Sequence, residues 1–453
     1  MSNPLNLNRF ALLMIVTFSW HLATETSNYL FAQSDALHKY VQKPDESYDW
    51  TLRKEFKVLG SSAAEITMTS QTWKDIKWQH RLFVIKPANM EADVDHAMLF
   101  ITGGGWKDSY ADPNAEDPVP SEARMFAALA ARLGTPVAVL THVPFQPIFD
   151  GKVEDEIIAY TFAEFMKSGD VEWPLLLPMV KSAVRAMDTV TAFGTEHWDV
   201  QLKTFTVTGA SKRGWTTWLT GAVDSRVTAI APMVIDMLNM SPQMRHQRKA
   251  WGSVSTEIND YSEQGLMEHL DTERGQQLQQ IVDPYRYRQA LKMPKLIMLG
   301  TNDDYWPIDA LNLYWNDLQG PKTILYVPNN RHGLNDLPRI TGGLNALHQN
   351  ARGKFAFPKM QWEFDGDTKQ IRLKLSADVT PKNVLAWSTE SEDRDFRNDT
   401  WTSKPMQRDG NAFLIAMTPS KPHAALIGEA EFECNGMPFF LSTTVKVLEP
   451  SAN

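Results

Sequence analysis

A serine at the turn between a predicted strand and a predicted helix is the residue best suited to chemistry. Residues 204–208 are β-branched and aromatic, which predicts a short buried strand, and a turn of small residues ends at Ser211. After Gly214 the apolar residues return at helical spacing. Such a turn holds a nucleophilic hydroxyl clear of the backbone and directs a helix N-terminus at a developing oxyanion. The alternative interpretation is an ordinary turn serine that caps a helix.

The glycines around Ser211 depart from the usual spacing of a nucleophile turn. Gly209 lies two residues before the serine, as expected, but Arg213 occupies the place two residues after it and Gly214 follows. The motif is therefore Gly-x-Ser-x-x-Gly, a variant of the common Gly-x-Ser-x-Gly pattern. The charges of Lys212 and Arg213 predict either a preference for acidic substrates or a charged helix surface.

A serine nucleophile needs a histidine base and a carboxylate that orients the base, and both follow in the chain. Asp303 and Asp304 come after one predicted strand, and His332 follows the next predicted strand. The order serine, acid, histidine is that of α/β-hydrolases. Successive residues leaving a strand point to opposite sides, and Asp303 lies three residues after Gly300. We therefore expect Asp303, and not Asp304, to orient His332.

A glycine run, residues 103–106, follows the first predicted strand of the main sheet. Free backbone amides at this place would complete an oxyanion site, whereas the alternative is a tight connection that needs positive φ. The amides expected to hold the oxyanion are those of Lys212, Gly104, Gly105 and Trp106. Three side chains adjoin the proposed catalytic residues and are expected to line the substrate pocket: Arg213, Tyr305 and Trp306.

The pattern around these residues predicts an α/β fold with additions. Residues 97–235 alternate strands with helices, which is typical of a mostly parallel sheet with helices on both faces. Strand-like runs within 50–85 predict an antiparallel meander before it. Residues 236–290 predict a helical cap insertion above the site. Short strands near the C-terminus predict a β-sandwich, so the expected domains are an α/β-hydrolase domain over 34–352 and a C-terminal β-sandwich over 355–449.

Composition limits the classes of function. The chain has 453 residues, a net charge of −9 and no basic run, which argues against a nucleic-acid partner. Cys434 is the only cysteine, so no intramolecular disulfide and no cysteine-based metal site is expected. The 11 histidines show no His-Glu-x-x-His spacing. We therefore expect neither a metal nor a cofactor, and a small molecule or a peptide as substrate.

The N-terminus has the features of an export signal. Arg9 precedes an apolar run over residues 10–18 that is too short for a membrane span. We expect a signal peptide over residues 1–33, with cleavage near Ala23 or Ala32, and a periplasmic or extracellular protein. The alternative is an apolar strand or an interfacial helix.

Three motifs resemble the PhoPQ-activated pathogenicity-related protein family: residues 209–218, 300–315 and 327–334. Residues 40–45 and 386–397 are also similar to it, and the resemblance extends from about residue 37 to the C-terminus. It implies an exported α/β-hydrolase-like protein with a β-rich C-terminal part. Carried over by motif, the resemblance implies that Ser211, Asp303 and His332 form a catalytic triad.

Two functions from different classes follow. The first is an exported serine hydrolase that cleaves an ester, amide or peptide bond through an acyl-enzyme. The second is a non-catalytic secreted binding or signalling protein on a hydrolase scaffold, since a fold does not dictate a function. A eukaryotic branch of the family is described as a secreted proliferation repressor, which keeps the second open.

Overall fold

The computed structural model describes residues 35–112, 115, 118–367 and 369–449. The predicted signal peptide, residues 1–33, lies outside the described residues. Within the described part of the chain, no helix combines the length and the apolar character that crossing a membrane requires.

The main sheet begins with three antiparallel strands. β1 (Asp49–Val58), β2 (Ser61–Trp73) and β3 (Ile76–Lys86) pair in sequence order, as the meander prediction states. β1 forms the edge and alternates between exposed and half-buried residues, whereas β2 is buried along nearly its whole length. The meander therefore joins the sheet through β3 and leaves β1 at the outside.

Six further strands form the centre of the sheet, and they are apolar on both faces as parallel strands covered by helices must be. These strands are β4 (His96–Ile101), β5 (Val137–Leu140), β6 (Thr204–Ala210), β7 (Val227–Met233), β8 (Lys295–Gly300) and β9 (Lys322–Val327). The spatial order is β1-β2-β3-β5-β4-β6-β7-β8-β9. β3 runs antiparallel to β5, and the strands from β5 to β9 are parallel to one another. The predicted α/β class is confirmed.

Helices connect the strands. In the described residues they are α1 (Ala36–Gln42), α2 (Ala123–Leu133), α3 (Glu154–Ser168), α4 (Leu176–Trp198), α5 (Lys212–Val223), α6 (Met240–Trp251), α7 (Asn259–Glu263), α8 (Leu266–His269), α9 (Glu273–Val282) and α10 (Leu337–Ala351). α6 to α9 all belong to the segment between β7 and β8, whose helical character agrees with the prediction. α3 and α10 were not predicted: both are buried along much of their length, which removes the polar face that marks a surface helix.

The chain beyond α10 contains short antiparallel strands: β10 (Met360–Gly366), β11 (Ile371–Ala377), β12 (Asn383–Ser391), β13 (Thr402–Pro405), β14 (Gln407–Asp409), β15 (Ala412–Met417), β16 (His423–Cys434), β17 (Met437–Ser442) and β18 (Lys446–Leu448). One group, β17-β16-β12-β13, continues the main sheet, because Ser442 of β17 pairs with Ile324 of β9. A second sheet has the order β10-β11-β15-β14. The two pack closely, since a Cβ on Gly428 would lie 2.8 Å from Leu373.

Candidate active site

Ser211 occupies a strained turn between β6 and α5. Its φ and ψ are 57° and −127°, a region that residues with a side chain rarely adopt. Its amide donates to the carbonyl of Met233 at 2.9 Å, and its carbonyl accepts from the amide of Trp215 at 2.9 Å. These bonds hold the serine backbone in place at the carboxyl end of the sheet, where the N-terminus of α5 begins at the next residue.

The glycines at this turn explain the variant spacing. A Cβ on Gly214 would lie 2.8 Å from the carbonyl oxygen of Met233, and a Cβ on Gly209 would lie 2.7 Å from that of Arg213. Real Cβ atoms do not approach so closely, so both positions require glycine. The first turn of α5 therefore packs directly on β6 and β7 through Gly214, one residue later than the common pattern places this contact.

His332 meets Asp303 across two neighbouring loops, one after β8 and one after β9. The imidazole Nδ1 lies 2.9 Å from Asp303 Oδ2 and 3.0 Å from Oδ1. The ring of Tyr305 stacks on the imidazole with ring centres 4.0 Å apart. His332 Nε2 is buried without a hydrogen-bond partner among the described residues. The carboxylate thus engages one ring nitrogen and leaves the other free.

The two carboxylates in the loop after β8 have different partners. Asp303 is buried, and its Oδ1 also accepts from the amide of Tyr305 at 2.8 Å. Asp304 pairs instead with the Arg331 guanidinium, whose other nitrogen donates to Asn398 Oδ1 at 2.7 Å. The structure therefore places Asp303, and not Asp304, against the histidine.

Two asparagines anchor the loops that carry this pair. Asn302 Nδ2 donates to the carbonyls of Phe396, Arg397 and Asp399 at 3.2, 3.1 and 2.8 Å. Asn329 makes reciprocal bonds with the backbone of Trp401, at 2.9 and 2.8 Å. Both loops are thereby attached to the connection between β12 and β13, a contact between distant parts of the chain that the sequence pattern did not indicate.

Ser211 and His332 line one cavity of about 50 Å³. Its wall is formed by the beginning of α5, the loops after β7, β8 and β9, and residues of α6 to α8. The side chains that line it include Tyr305 and Trp306, for which the sequence predicts a place in the substrate pocket. The remaining wall is mainly apolar and includes four methionines: Met237, Met240, Met244 and Met267.

The cations that follow Ser211 are paired rather than free. Lys212 Nζ lies 2.9 Å from Glu154 Oε2 and 2.8 Å from Asp155 Oδ2. Arg213 donates to Glu154 Oε1 at 2.7 Å and to the carbonyl of Val143. Burial disfavours the Glu154 carboxylate, but the hydrogen bond and charge of Arg213 and the charge of Lys212 outweigh it and lower its pKa to about 2.

The expectation that Arg213 lines the substrate pocket is wrong. Its guanidinium is buried in the ion pair with Glu154 and lies against Gly103, where a Cβ would come 2.2 Å from the arginine. The side chain therefore joins α5 to the glycine run instead of facing the cavity.

The amides predicted for the oxyanion site have different surroundings. The Trp106 amide already donates to the carbonyl of Gln146 at 2.8 Å, so it is not free to bind an oxyanion. The amides of Gly104, Gly105 and Lys212 have no hydrogen-bond acceptor among the described residues. Of the four residues predicted to hold the oxyanion, Lys212 is the one that lines the cavity together with Ser211. The prediction for Trp106 is corrected, and the amide of Lys212 is the best placed of the four.

Asp155 and Tyr261 are site residues that the sequence did not reveal. Both line the cavity, and the Tyr261 hydroxyl donates to Asp155 Oδ1 at 2.9 Å while the other oxygen pairs with Lys212. Asp155 lies in the acidic first turn of α3, a pattern more often explained by the helix dipole. Tyr261 lies in α7, more than 100 residues away in the chain, and no local signal connects the two.

The buried carboxyl of Asp236 lies close enough to Asp303 for their charges to interact. Burial, together with the charges of Asp303 and Asp309, raises the pKa of Asp236 to about 8. The side chain is therefore mostly protonated at neutral pH and adds little negative charge beside Asp303. Within the described residues, no group of three or more His, Cys, Asp or Glu side chains is arranged to hold a metal ion.

Together, the strained serine turn, the carboxylate and histidine after two successive strands, and their shared cavity have the arrangement of an α/β-hydrolase site. The chain belongs to the PhoPQ-activated pathogenicity-related protein family, whose model matches residues 37–397. The resemblance inferred from the motifs is thus confirmed. The chain is also 34% identical over 387 residues to Autocrine proliferation repressor protein A of Dictyostelium discoideum, an alignment that covers 80% of this chain and 76% of that protein.

Solved structures with a similar fold are more distant. The acetyl xylan esterase from Paenibacillus sp. R4 is 14% identical, with a TM-score of 0.46, over 67% of this chain and 89% of the esterase. An S-formylglutathione hydrolase from Agrobacterium tumefaciens is 12% identical, with a TM-score of 0.43, over 68% of this chain and 100% of that chain. Likenesses this distant say nothing about the reaction of this protein.

Replacing Asp303 by asparagine is expected to lower kcat by about 10⁴-fold, because the amide no longer holds the histidine in the productive tautomer. The asparagine oxygen can still accept from the Tyr305 amide, so the melting temperature is expected to change little. Asp304→Asn is the matched control and is expected to cost far less, since it removes only a partly exposed ion pair with Arg331. Kinetics of both variants on any hydrolysed ester provide the measurement. A larger loss in Asp304→Asn would contradict the assignment.

The raised pKa of Asp236 predicts how stability depends on pH. Between 3.8 and about 8 the folded state holds a proton on Asp236 that the unfolded state has released, so this contribution to stability falls as pH rises through that window. Asp236→Asn is expected to show a smaller loss of stability than the wild type across the window. Urea unfolding at a series of pH values measures it, with the exposed Asp49→Asn as control. Parallel curves for the wild type and Asp236→Asn would contradict the prediction.

Proposed function

We propose that this protein is a serine hydrolase that cleaves an ester or amide bond through an acyl-enzyme on Ser211. The observation that carries the proposal is the placement of a serine with strained backbone and a carboxylate-bound histidine on the wall of one cavity. Strained backbone conformations cost free energy, and they cluster at active sites and ligand-binding segments.

The reaction has two halves. In the first, Ser211 Oγ attacks the carbonyl carbon while its proton passes to His332 Nε2, and the leaving group departs with that proton. In the second, water attacks the acyl carbon, gives a proton to His332, and the proton returns to Ser211 Oγ as the acid is released. The net change is one bond hydrolysed by one water. Asp303 holds the proton of Nδ1 and stabilises the imidazolium that forms in each half.

The developing oxyanion is held by backbone amides in this proposal. The amide of Lys212 follows the nucleophile at the N-terminus of α5, where the helix dipole also favours negative charge. The second donor would come from Gly104 or Gly105, whose amides lack a partner among the described residues. Arg213 supports this pairing by packing its guanidinium against the adjacent Gly103.

Further parts of the proposal concern the domains and the location of the protein. We assign residues 236–290 as a helical cap, because α6 to α8 contribute cavity wall opposite the serine turn. We assign residues 355–449 as a β-sandwich domain that also anchors the catalytic loops. Export to the periplasm or the extracellular space rests on the leader-like residues 1–33. The substrate would be a small molecule or a peptide, and no cofactor is needed for the chemistry.

A second candidate is a secreted signalling protein without catalysis. The observation that favours it is the similarity to a protein named as an autocrine proliferation repressor. The two candidates differ in what Ser211→Ala does to cells that respond to the added protein. Full biological activity of the variant would favour signalling, and its loss with intact folding would favour catalysis.

A fluorophosphonate probe tests the proposed function directly. Purified protein is expected to be labelled on the peptide that carries Ser211, because the probe reacts with an activated serine and traps a tetrahedral adduct. Mass spectrometry locates the adduct. Ser211→Ala is expected to abolish labelling, and the exposed Ser225→Ala serves as the matched control that keeps it. Absence of label, or label on another residue, would refute the hydrolase.

A further inference from the structure

We propose that the substrate of this site carries a short, uncharged acyl group, which occupies the methionine-lined cavity beside Ser211. This inference rests on the proposed function and adds the chemical class of the substrate to it. In the proposed mechanism His332 protonates the leaving group, and its side chain is 22% exposed, so we set no comparable limit on the leaving group.

The wall of the cavity selects apolar groups. Beyond the four methionines it includes Val234, Ile235, Ile258 and Leu270. Two polar atoms on lining residues are buried without a hydrogen-bond partner among the described residues: His332 Nε2, which the mechanism uses, and Trp306 Nε1. An apolar group therefore replaces water at little cost here, whereas a carboxylate would lose its hydration and gain at most the single indole N–H of Trp306.

The volume limits the length of the acyl group. A cavity that holds one water needs roughly 10–15 Å³ by the same measure, so about 50 Å³ accommodates about four groups of that size. Acetyl, propionyl and butyryl groups match this space. A longer chain has to displace the side chains of Met244 and Leu270, which belong to the roof formed by α6 and the residues after α8.

The charges at the site argue against an anionic acyl group. This differs from one of the two predictions made from the sequence, in which Lys212 and Arg213 would favour acidic substrates. Among the described lining residues, Lys212 is the cation, and it is already paired with Glu154 and Asp155. Arg213 is paired with Glu154 as well. The four side chains carry two positive and two negative charges, so the group is neutral as a whole.

Two carboxyl groups outside this neutral group, Glu257 and Asp260, act on the cavity from the side of Tyr305. Burial, followed by the charges of Asp155 and Glu257, raises the pKa of the Tyr305 hydroxyl above its ordinary value. Burial and the charges of Asp155 and Glu156 likewise raise the pKa of Asp260. A carboxylate entering the cavity would therefore meet repulsion from this side and no free cation in the wall.

A panel of p-nitrophenyl esters tests the inference on the intact wild-type protein. Acetate and butyrate are expected to be the best substrates, with kcat/KM for butyrate exceeding that for octanoate by roughly tenfold or more. The hemisuccinate differs from the butyrate only by a carboxylate in place of the terminal methyl group. Its kcat/KM is expected to be lower by roughly 100-fold or more, because the buried carboxylate meets no free cation in the wall.

A variant of the roof tests whether the cavity itself sets the preference. Leu270→Ala enlarges the space and is expected to raise kcat/KM for octanoate relative to butyrate, whereas Met125→Ala, an exposed methionine in α2, is expected to leave the ratio unchanged. Thermal melting checks that both variants fold. If Leu270→Ala does not fold, Met244→Ala makes the same comparison, and the wild-type panel stands independently.

The possible outcomes separate the inference from the proposed function. Labelling of Ser211 with a preference for octanoate or hemisuccinate would overturn the inference and leave the hydrolase standing. Labelling of Ser211 with no ester of the panel hydrolysed would also overturn it. If Ser211 is not labelled and no ester is hydrolysed, the hydrolase proposal itself is refuted.

Discussion

The hydrogen bond between Asp303 and His332 is the contact on which the rest of the site depends. It joins loops that leave two neighbouring parallel strands, β8 and β9. Asn302 and Asn329 attach each loop to residues 396–401, in the connection between β12 and β13. The C-terminal strands are therefore part of the support of the site, and the family match, which runs to residue 397, reaches into this connection.

A second set of contacts holds the serine turn in place and pairs the two cations that follow Ser211 with carboxylates. Gly214 lets α5 approach β7 closely, and the two cations after Ser211 are bound by the acidic start of α3. Pairing removes the positive charge that the sequence alone places next to the nucleophile. The same residues that hold the helix in position thus make the electrostatic surroundings of the serine nearly neutral.

Much of the arrangement could be predicted from the sequence because its signals are local. A β-branched run, a small-residue turn and a helical period mark Ser211, and apolar strands followed by polar loops mark Asp303 and His332. The features that were missed depend on distant contacts. The amide of Trp106 donates to the carbonyl of Gln146, and Arg213 forms an ion pair with Glu154. The Tyr261 hydroxyl donates to Asp155. None of these three contacts has a local signature in the sequence. α10 was missed because glycines and burial hide its helical period.

In the proposed mechanism, Ser211 carries the acyl group during turnover. Rapid acid quenching of the protein mixed with p-nitrophenyl butyrate, followed by peptide mass spectrometry, measures this directly. We expect a transient gain of one butyryl group on the peptide that contains Ser211, formed before steady state and lost as the ester is consumed. Hydrolysis of the ester with no acylated peptide, or with the acyl group on another residue, would contradict it.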